Sequence, residues 1–421
     1  MAIADLLHQP RRTLFRLDRI DLRIGWMAFA VFVCGVASAR AVNLIGEFYL
    51  GELLLIQLAL FMMLFGRDRS LLDVSAFGVF VQCAVLMLAG YIVSDIYRET
   101  EPGQFLRGWA RVILLTLDFM ALAVVVARDR RNLWWFALGM GVGAIGQLLV
   151  RGVPMMDAAG WKFGYSTPLA YLLACGAYFL PIKLMALAFV ALGLWNIFMD
   201  FRIMGAICIL IAAVMWVRAN NPGGLDGMQI LKVILACGVA GAIVGTALYV
   251  THEDYKRRRE TSNVGREAGL KVALQGVIES PILGYGSWPT DPRLVSLFQE
   301  EVVAQGEVRG ESMAGEQVFT AHSQALQAWI EGGFFAALFF LYYGMKLVST
   351  GFRVALQRRP DGYLPVFLLF LIYDTWHLFM SPFSGPTRLP IAVGIAIVVI
   401  CGLEAVRERA GTPRGADGGR S

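Results

Sequence analysis

The sequence predicts an all-α fold: a polytopic transmembrane bundle of about 12 helices, with a helical segment on the outer surface between the ninth and the tenth. Three observations predict it. Of 421 residues, 57% are hydrophobic and 16% charged, whereas a soluble domain is nearer half apolar and about a quarter charged; mean hydropathy is +0.61. The apolar residues fall in long blocks, where a membrane β-barrel would alternate apolar and polar positions in strands of about ten residues. The blocks also stop over one long stretch, from about 251 to 320. There a polar segment opens at Thr251-His252-Glu253-Asp254 and closes at Thr320-Ala321-His322-Ser323.

Taken in order, Arg11, Arg12, Arg16, Arg19 and Arg23 precede the first apolar run without a convincing small-residue cleavage site, which predicts a retained signal-anchor helix. A spanning helix needs about 20 mostly apolar residues. Twelve runs qualify: 24–40, 46–65, 73–97, 107–127, 132–150, 165–180, 181–200, 202–218, 228–250, 320–348, 362–380 and 387–406. Pro181 and Asp200-Phe201-Arg202 punctuate the nearly continuous stretch 165–218. The expected organisation is helices 1–9 over 1–250, an outer segment over 251–320, helices 10–12 over 321–408 and a Gly-rich, disordered tail over 409–421.

Charge sets the expected orientation. With both termini cytoplasmic, inner segments hold 21 of the 37 Lys and Arg, short outer loops hold eight and the long outer segment holds eight. This is the positive-inside bias, from which long outer segments are largely exempt. The net charge of +5 then describes loop topology, not nucleic-acid binding. Cys34, Cys83, Cys175, Cys208, Cys237 and Cys401 all sit in apolar runs, as small buried hydrophobes do.

Within the outer segment, Asn263 can cap a helix whose apolar positions Leu270, Ala273, Leu274, Val277 and Ile278 recur at helical spacing. Ser280-Pro281 ends it, because the residue before proline avoids the α region. Asp291 as N-cap and Pro292 at the first position start a second helix, with the stripe Leu294, Leu297, Phe298 and Val302 and an end at Gly306. Both helices are expected on the membrane face of the bundle. Residues 307–319 lack such a stripe and are expected to be mobile. The run Lys256-Arg257-Arg258-Arg259 suits contact with lipid phosphates.

The chemistry is expected where the polar segment re-enters the lipid. His322 begins the tenth run, and ionisable residues near membrane depth are functional by default. Spacing leaves two roles open: a histidine capping the outer helix end, or a general base, for which its residue type is the usual choice. On a continuous helix Gly333, three turns on, lies below it and admits a close helix. Arg266 falls in the first turn of its helix, where free N–H groups favour an anion and a guanidinium completes a phosphate site; the alternative is a solvated arginine beside a basic run. Arg202 either pairs with Asp200 or faces an anionic ligand. Glu331, nine residues past His322, is on the opposite helix face, in an ion pair or protonated. Asp374 and His377 share one helix face and either support the site or simply pair.

Some chemistries find no support. There is no Asp-x-Asp, P-loop, His-Glu-x-x-His or Gly-x-Ser-x-Gly. Glu99-Thr100-Glu101 is the nearest spacing to paired metal-binding carboxylates. No metal site and no cofactor is expected. No internal repeat of the transporter kind is present.

These residues resemble a known family. His322-Ser323, nine residues and Gly333 resemble the His-[Asn/Ser/Gln]-x9-Gly motif of the O-antigen ligase family. Val264-Gly265-Arg266 with Pro281-Ile282-Leu283-Gly284-Tyr285-Gly286 is similar to its Gly-Arg block and Pro-Leu-Gly-x-Gly turn. Asp200 to Ala206 resembles its Ser-Arg-Gly-Ala segment, although Phe201 stands for Ser and Ile203-Met204 intervene. Ala336 departs from the Gly, Thr or Tyr often found three residues after that glycine.

The resemblance implies a GT-C-like glycosyltransferase in the bacterial inner membrane with its active site at the periplasmic face. It implies an undecaprenyl-pyrophosphate-linked O-antigen as donor, lipid A–core oligosaccharide as acceptor, and no metal or nucleotide. It carries Arg202 and Arg266 over as a pyrophosphate clamp and His322 as base, in one inverting step. Arg40, Arg98, Arg151 and Arg388 become candidates for acceptor phosphates. O-antigen polymerases and protein O-oligosaccharyltransferases share these motifs and differ in acceptor. A lipid-linked glycan transporter would instead carry charges at mid-bilayer on several helices. A non-catalytic scaffold would tolerate loss of His322.

Overall fold

The computed structural model describes residues 25–43, 46–65, 71, 74–221, 226–251, 253–288, 291–304, 319, 321–356 and 362–409. The N-terminal arginines, the C-terminal tail and nearly all of 307–319 lie outside these. The described chain is all helix apart from one small hairpin, in agreement with the predicted class. Fourteen helices of more than one turn follow in order. They are α1 (Trp26–Ala37), α2 (Leu50–Phe65), α3 (Ser75–Tyr97), α4 (Pro102–Arg128), α5 (Arg131–Val150), α6 (Ser166–Gly176) and α7 (Ile182–Phe198). Then come α8 (Arg202–Asn220), α9 (Gly227–Thr251), α10 (Glu253–Glu279), α11 (Pro292–Ala304), α12 (Gln324–Leu356), α13 (Leu364–Met380) and α14 (Arg388–Arg409). Strands β1 (Ala41–Asn43) and β2 (Glu47–Tyr49) form the antiparallel hairpin between α1 and α2.

Every one of the twelve apolar runs contains a helix. Among the described residues six are long and apolar enough to cross a membrane, and five further apolar helices are shorter. The difference from twelve has a local cause: counting apolar residues ignores where the backbone breaks. The run 165–180 holds only α6, entered through a π-helical turn at Trp161–Tyr165. The run expected to begin at 107 extends back to Pro102, so Arg107 and Arg111 lie well inside α4.

The chain divides into two compact units. One comprises Met1–Ala39, Trp134–Gly238 and Arg353–Leu369. It packs through glycines, as membrane helices do when no water is available to drive apolar contact. A methyl on Gly35, Gly139 or Gly143 would lie within 2.4 Å of a carbonyl oxygen of the facing helix, so α1 and α5 touch backbone to backbone. Gly193 of α7 and Gly205 of α8 face each other more loosely: a methyl on either would lie 3.1 or 2.9 Å from the other's carbonyl oxygen. Trp161 Nε1 and Ser166 Oγ both donate to Asn196 Oδ1, which fixes the π turn against α7.

The other unit comprises Arg40–Leu133, Val239–Phe352 and Phe370–Ser421. Its core is aromatic: Phe80 of α3, Phe119 of α4 and Phe339 and Tyr343 of α12 are fully buried with ring centroids 6.2–6.4 Å apart in neighbouring pairs. Gly90 of α3 lies against the Gly332 carbonyl of α12, where a methyl would come within 2.5 Å. This unit holds α10, α11 and the start of α12, and with them most of the candidate site.

Candidate functional site

The described part of the 251–320 stretch folds as a helical layer around a small core of its own. Val272, Ala273 and Val277 of α10, Leu294 of α11, Tyr285, Phe319, Ala321 and Ile330 of α12 are buried together, with Leu297, Phe298, Leu326 and Trp329 packed on them. Lys271 bridges α10 to α11 by donating to Glu301 at 3.1 Å. The predicted stripe of α11 is therefore turned onto α10 and α12, not onto the membrane. The stripe of α10 is split: Ala273 and Val277 face this core, while Leu270, Leu274 and Ile278 remain exposed. Pro292 opens α11 behind Asp291, whose carboxylate accepts from Arg293 N, as the sequence predicts.

Two expectations about α10 are overturned. The helix does not start at Asn263 but runs unbroken from Glu253 to Glu279. A residue able to cap a helix does not oblige it to end, and asparagine inside a helix costs only about half a kcal/mol. Arg266 is thus mid-helix, and its neighbouring N–H groups are not those of a helix N-terminus. What the helix supplies instead is a face.

Gly269, one turn beyond Arg266 and on the same side of α10, meets the imidazole. A methyl there would lie 3.6 Å from His322 Cδ2 and 3.8 Å from Phe298 Cε2. Arg266 is half-buried and His322 exposed. A cation and an imidazole thus share one side of α10, about 4.5 Å of helix rise apart.

His322 also differs from expectation. It lies in a bend, and α12 begins at Gln324. Ser323 fixes the bend, donating from Oγ to the Leu378 carbonyl of α13 at 2.9 Å. Gly333 does not lie three turns below on a continuous helix, because the helix breaks there, with φ 70° and ψ −165°. The segment that approaches is not a helix but the turn after α10. Tyr285 N and Gly286 N donate to the carbonyls of Ile330 and Glu331 at 2.6 and 3.0 Å, and Trp329 Nε1 donates to the Pro281 carbonyl at 2.8 Å. Both Gly284 and Gly286 have positive φ, which this close approach needs.

The end of α3 holds the same turn from the other side. Ser94 Oγ donates to the Leu283 carbonyl, and Asp95 accepts from Ser287 N, Ser287 Oγ and Trp109 Nε1. Arg98 donates to the Gly284 carbonyl at 3.0 Å and to Ser280 Oγ at 2.9 Å, with its guanidinium 4.7 Å from the Tyr285 ring centre. Tyr285 in turn donates to Glu279 Oε2 at 3.0 Å. That bond, after the one from Gln275, holds the Glu279 carboxyl below its usual range; partial burial, then Glu279, raises the tyrosine. Arg98 therefore has protein partners where a phosphate ligand was expected. Arg98→Met should lower stability by about 1–3 kcal/mol, through the two charge-assisted bonds it removes, to the Gly284 carbonyl and to Ser280 Oγ. A thermal melt in detergent checks this; a rise in acceptor KM at unchanged Tm would instead restore the phosphate role.

Beneath the bend, Glu331 is fully buried in an ion pair with Arg111 of α4, one of the two states expected of it. Tyr91 donates to the same Oε2 at 2.5 Å, Gln327 Nε2 donates to Oε1 at 2.8 Å, and Arg111 also donates to the Phe383 carbonyl at 2.6 Å. Asp374 accepts from Tyr343 at 2.6 Å and the Tyr373 and His377 rings meet at 4.1 Å, so Asp374 and His377 each meet a tyrosine and do not pair with each other.

The other arginines separate. Arg388 is buried, with two donations to Glu52 at 2.9 Å and one to the Glu47 carbonyl at 2.5 Å, so it ties α14 to the hairpin instead of presenting an open phosphate site. Arg40, at the base of the hairpin, and Arg151, just past α5, are exposed. Arg202 belongs to the first unit; it opens α8 and pairs with Asp200 at 2.9 Å. Among the described residues no group of three or more His, Cys, Asp or Glu could hold a metal ion.

Sequence reasoning missed Arg111, Tyr91 and Gln327, which surround Glu331, and the α3 triplet Ser94, Asp95 and Arg98. A signal for the first was present: Arg111 and Glu331 are two opposite charges inside apolar runs, which membrane burial obliges to pair.

Residues 166–341 match a family model described as O-antigen ligase. The match takes in Arg202, Arg266, the turn 281–286, His322 and Gly333. No curated protein matches the chain.

Proposed function

We propose that this membrane protein, whose residues 166–341 match the family model described as O-antigen ligase, transfers a glycan from a polyprenyl-pyrophosphate carrier to a saccharide hydroxyl. The donor is undecaprenyl-pyrophosphate-linked O-antigen, and the acceptor is lipid A–core oligosaccharide at the periplasmic face of the inner membrane. The observation that carries this reading is the seat of the His322 ring on Gly269, one turn from Arg266.

The chemistry follows from these two groups. The acceptor oxygen attacks the anomeric carbon while its proton passes to the imidazole. The bond from that carbon to pyrophosphate breaks, and the carrier leaves as the lipid pyrophosphate. Displacement in one step inverts the anomeric centre. Arg266 offers a fixed positive charge where negative charge develops on the leaving oxygens, the kind of preorganised stabilisation that contributes most to such reactions. The sequence argument assigns Arg202 a share in binding pyrophosphate, and Arg202→Lys tests that separately. The exposed Arg40 and Arg151 stay candidates for acceptor phosphates.

Purified protein, lipid-linked O-antigen and lipid A–core in proteoliposomes test the reading, with EDTA present throughout. Glycosylated lipid A–core is the expected product. Extension of a second lipid-linked glycan would mark a polymerase, a glycosylated protein would mark an oligosaccharyltransferase, and movement of donor without covalent transfer would remove the proposal. Arg266→Lys keeps the charge and loses the planar fork; it is expected to lower kcat/KM about 10- to 100-fold, close to one good charge-assisted contact.

A further inference from the structure

One flank of the site has more polar atoms than partners. Gln324 and Gln327 lie in the first turns of α12 at spacings that put them above Glu331. They are 1% and 2% exposed. Among the described residues, neither amide atom of Gln324 has a hydrogen-bond partner, nor does Gln327 Oε1. The same holds for Trp288 Nε1 and for Arg111 Nε, and the Arg111 guanidinium sits 4.7 Å from the Trp288 ring centre. Glu331 joins these groups, since it accepts from both Arg111 and Gln327. Nearly all buried polar groups in folded proteins are satisfied. An apolar side chain of similar shape would suit position 324 better unless something else meets its amide.

We propose that Gln324, Gln327 and Trp288 form a saccharide subsite. The proposal rests on the glycan-transfer reading and adds to it the residues that select a sugar. The chemistry of the set defines the ligand. An amide offers one donor edge and one acceptor edge, which suits a hydroxyl that both gives and receives. The indole adds a donor and a flat apolar face, on which the C–H face of a pyranose ring can lie. The neighbouring cation Arg111 is already neutralised by Glu331, so the flank favours a neutral, hydroxyl-rich ring over an anion. Gln324 follows His322 by two residues, in the first turn after the bend. These atoms are closed to water in the structure, so the flank parts when the ring enters. The ring belongs either to the acceptor or to the sugar of the donor.

The test replaces both amides in the full-length protein, Gln324→Met with Gln327→Met, and reads Tm and the KM of each substrate separately. Expected are a Tm lowered by no more than loss of the Gln327–Glu331 bond accounts for and a rise of about tenfold or more in one KM, the size of a lost hydrogen-bonded contact, with the other within about twofold. A rise on the acceptor side assigns the ring to the acceptor, and a rise on the donor side assigns it to the donor. Intact transfer with both KM values unchanged overturns the subsite. Absence of transfer in the unaltered protein would instead sink the glycan-transfer reading. If the double variant does not fold, Trp288→Phe decides, because it keeps an aromatic ring beside Arg111 and removes the N–H together with the second ring of the indole. A rise of roughly threefold or more in one KM supports the subsite, and no change in either overturns it.

Discussion

His322→Ala is expected to lower kcat for glycan transfer by about 10²- to 10⁴-fold, the usual contribution of a positioned general base. The reason lies in what the imidazole is asked to do. It takes a proton only as the acceptor oxygen bonds to carbon, so its contribution exists in the transition state and not in the bound ground state. The donor KM should therefore change little while kcat and kcat/KM fall together. His322→Gln should behave like the alanine variant, since it keeps a hydrogen-bonding side chain and cannot accept the proton. The fold should survive both changes: the side chain is exposed, and the bend is held by Ser323 on Leu378, not by the imidazole. Steady-state kinetics in proteoliposomes and a thermal melt of the same preparations check the two halves. A histidine that only caps α12 and faces water would leave transfer within about twofold and confine the loss to Tm, typically ~1 kcal/mol for a cap.

Gly333→Ala should prevent a stable fold altogether. A methyl at this position would lie 1.8 Å from the Ile282 carbonyl oxygen and 2.5 Å from its carbon, on a residue whose φ of 70° already suits only glycine. Both neighbours are backbone, so no rotamer change relieves the overlap. Either α12 straightens or the turn 280–287 leaves, and in both cases Tyr285 N, Gly286 N and the carbonyls of Ile330 and Glu331 lose their partners. Forcing a non-glycine residue into that backbone region costs about 1–3 kcal/mol, and each unmet buried group costs about as much again. Together these approach the whole stability of a typical domain, about 5–15 kcal/mol. The expected result is little or no monodisperse protein, and none active. Gly238→Ala in α9 is the matched control, because nothing lies within 4 Å of the added methyl. A Gly333→Ala protein with ordinary Tm and transfer would mean that the turn and α12 are held by other contacts.

The features visible in the sequence are those that depend on local chemistry. Long apolar runs mark the helices, Ser280-Pro281 ends α10 and Asp291-Pro292 opens α11, because each rests on sterics or hydrogen bonding within a few residues. What was not visible depends on the third dimension. Asn263 can cap a helix, yet nothing nearby stops α10 from running through it, and this displaced Arg266 from the expected helix start. Gly333 inside an apolar run reads as a packing glycine, since sequence does not display the sign of φ. Arg388 and Arg98 look like free cations at a surface until Glu52, 336 residues away, and the Gly284 carbonyl, 186 away, are brought to them. The motifs singled out Arg266 and His322 but not how they come to one side of α10: it is Gly269, a residue with no side chain, that seats the imidazole one turn from Arg266.

The union of the 281–286 turn with the broken helix has a consequence for how this protein can vary. Its two central bonds run between main-chain atoms, Tyr285 to Ile330 and Gly286 to Glu331. Main-chain groups are the same in every residue, so substitution at Ile282, whose side chain is 62% exposed, leaves both bonds unaltered. Sequence can drift around such a joint while the angle between its two parts stays constant, provided that the glycines remain.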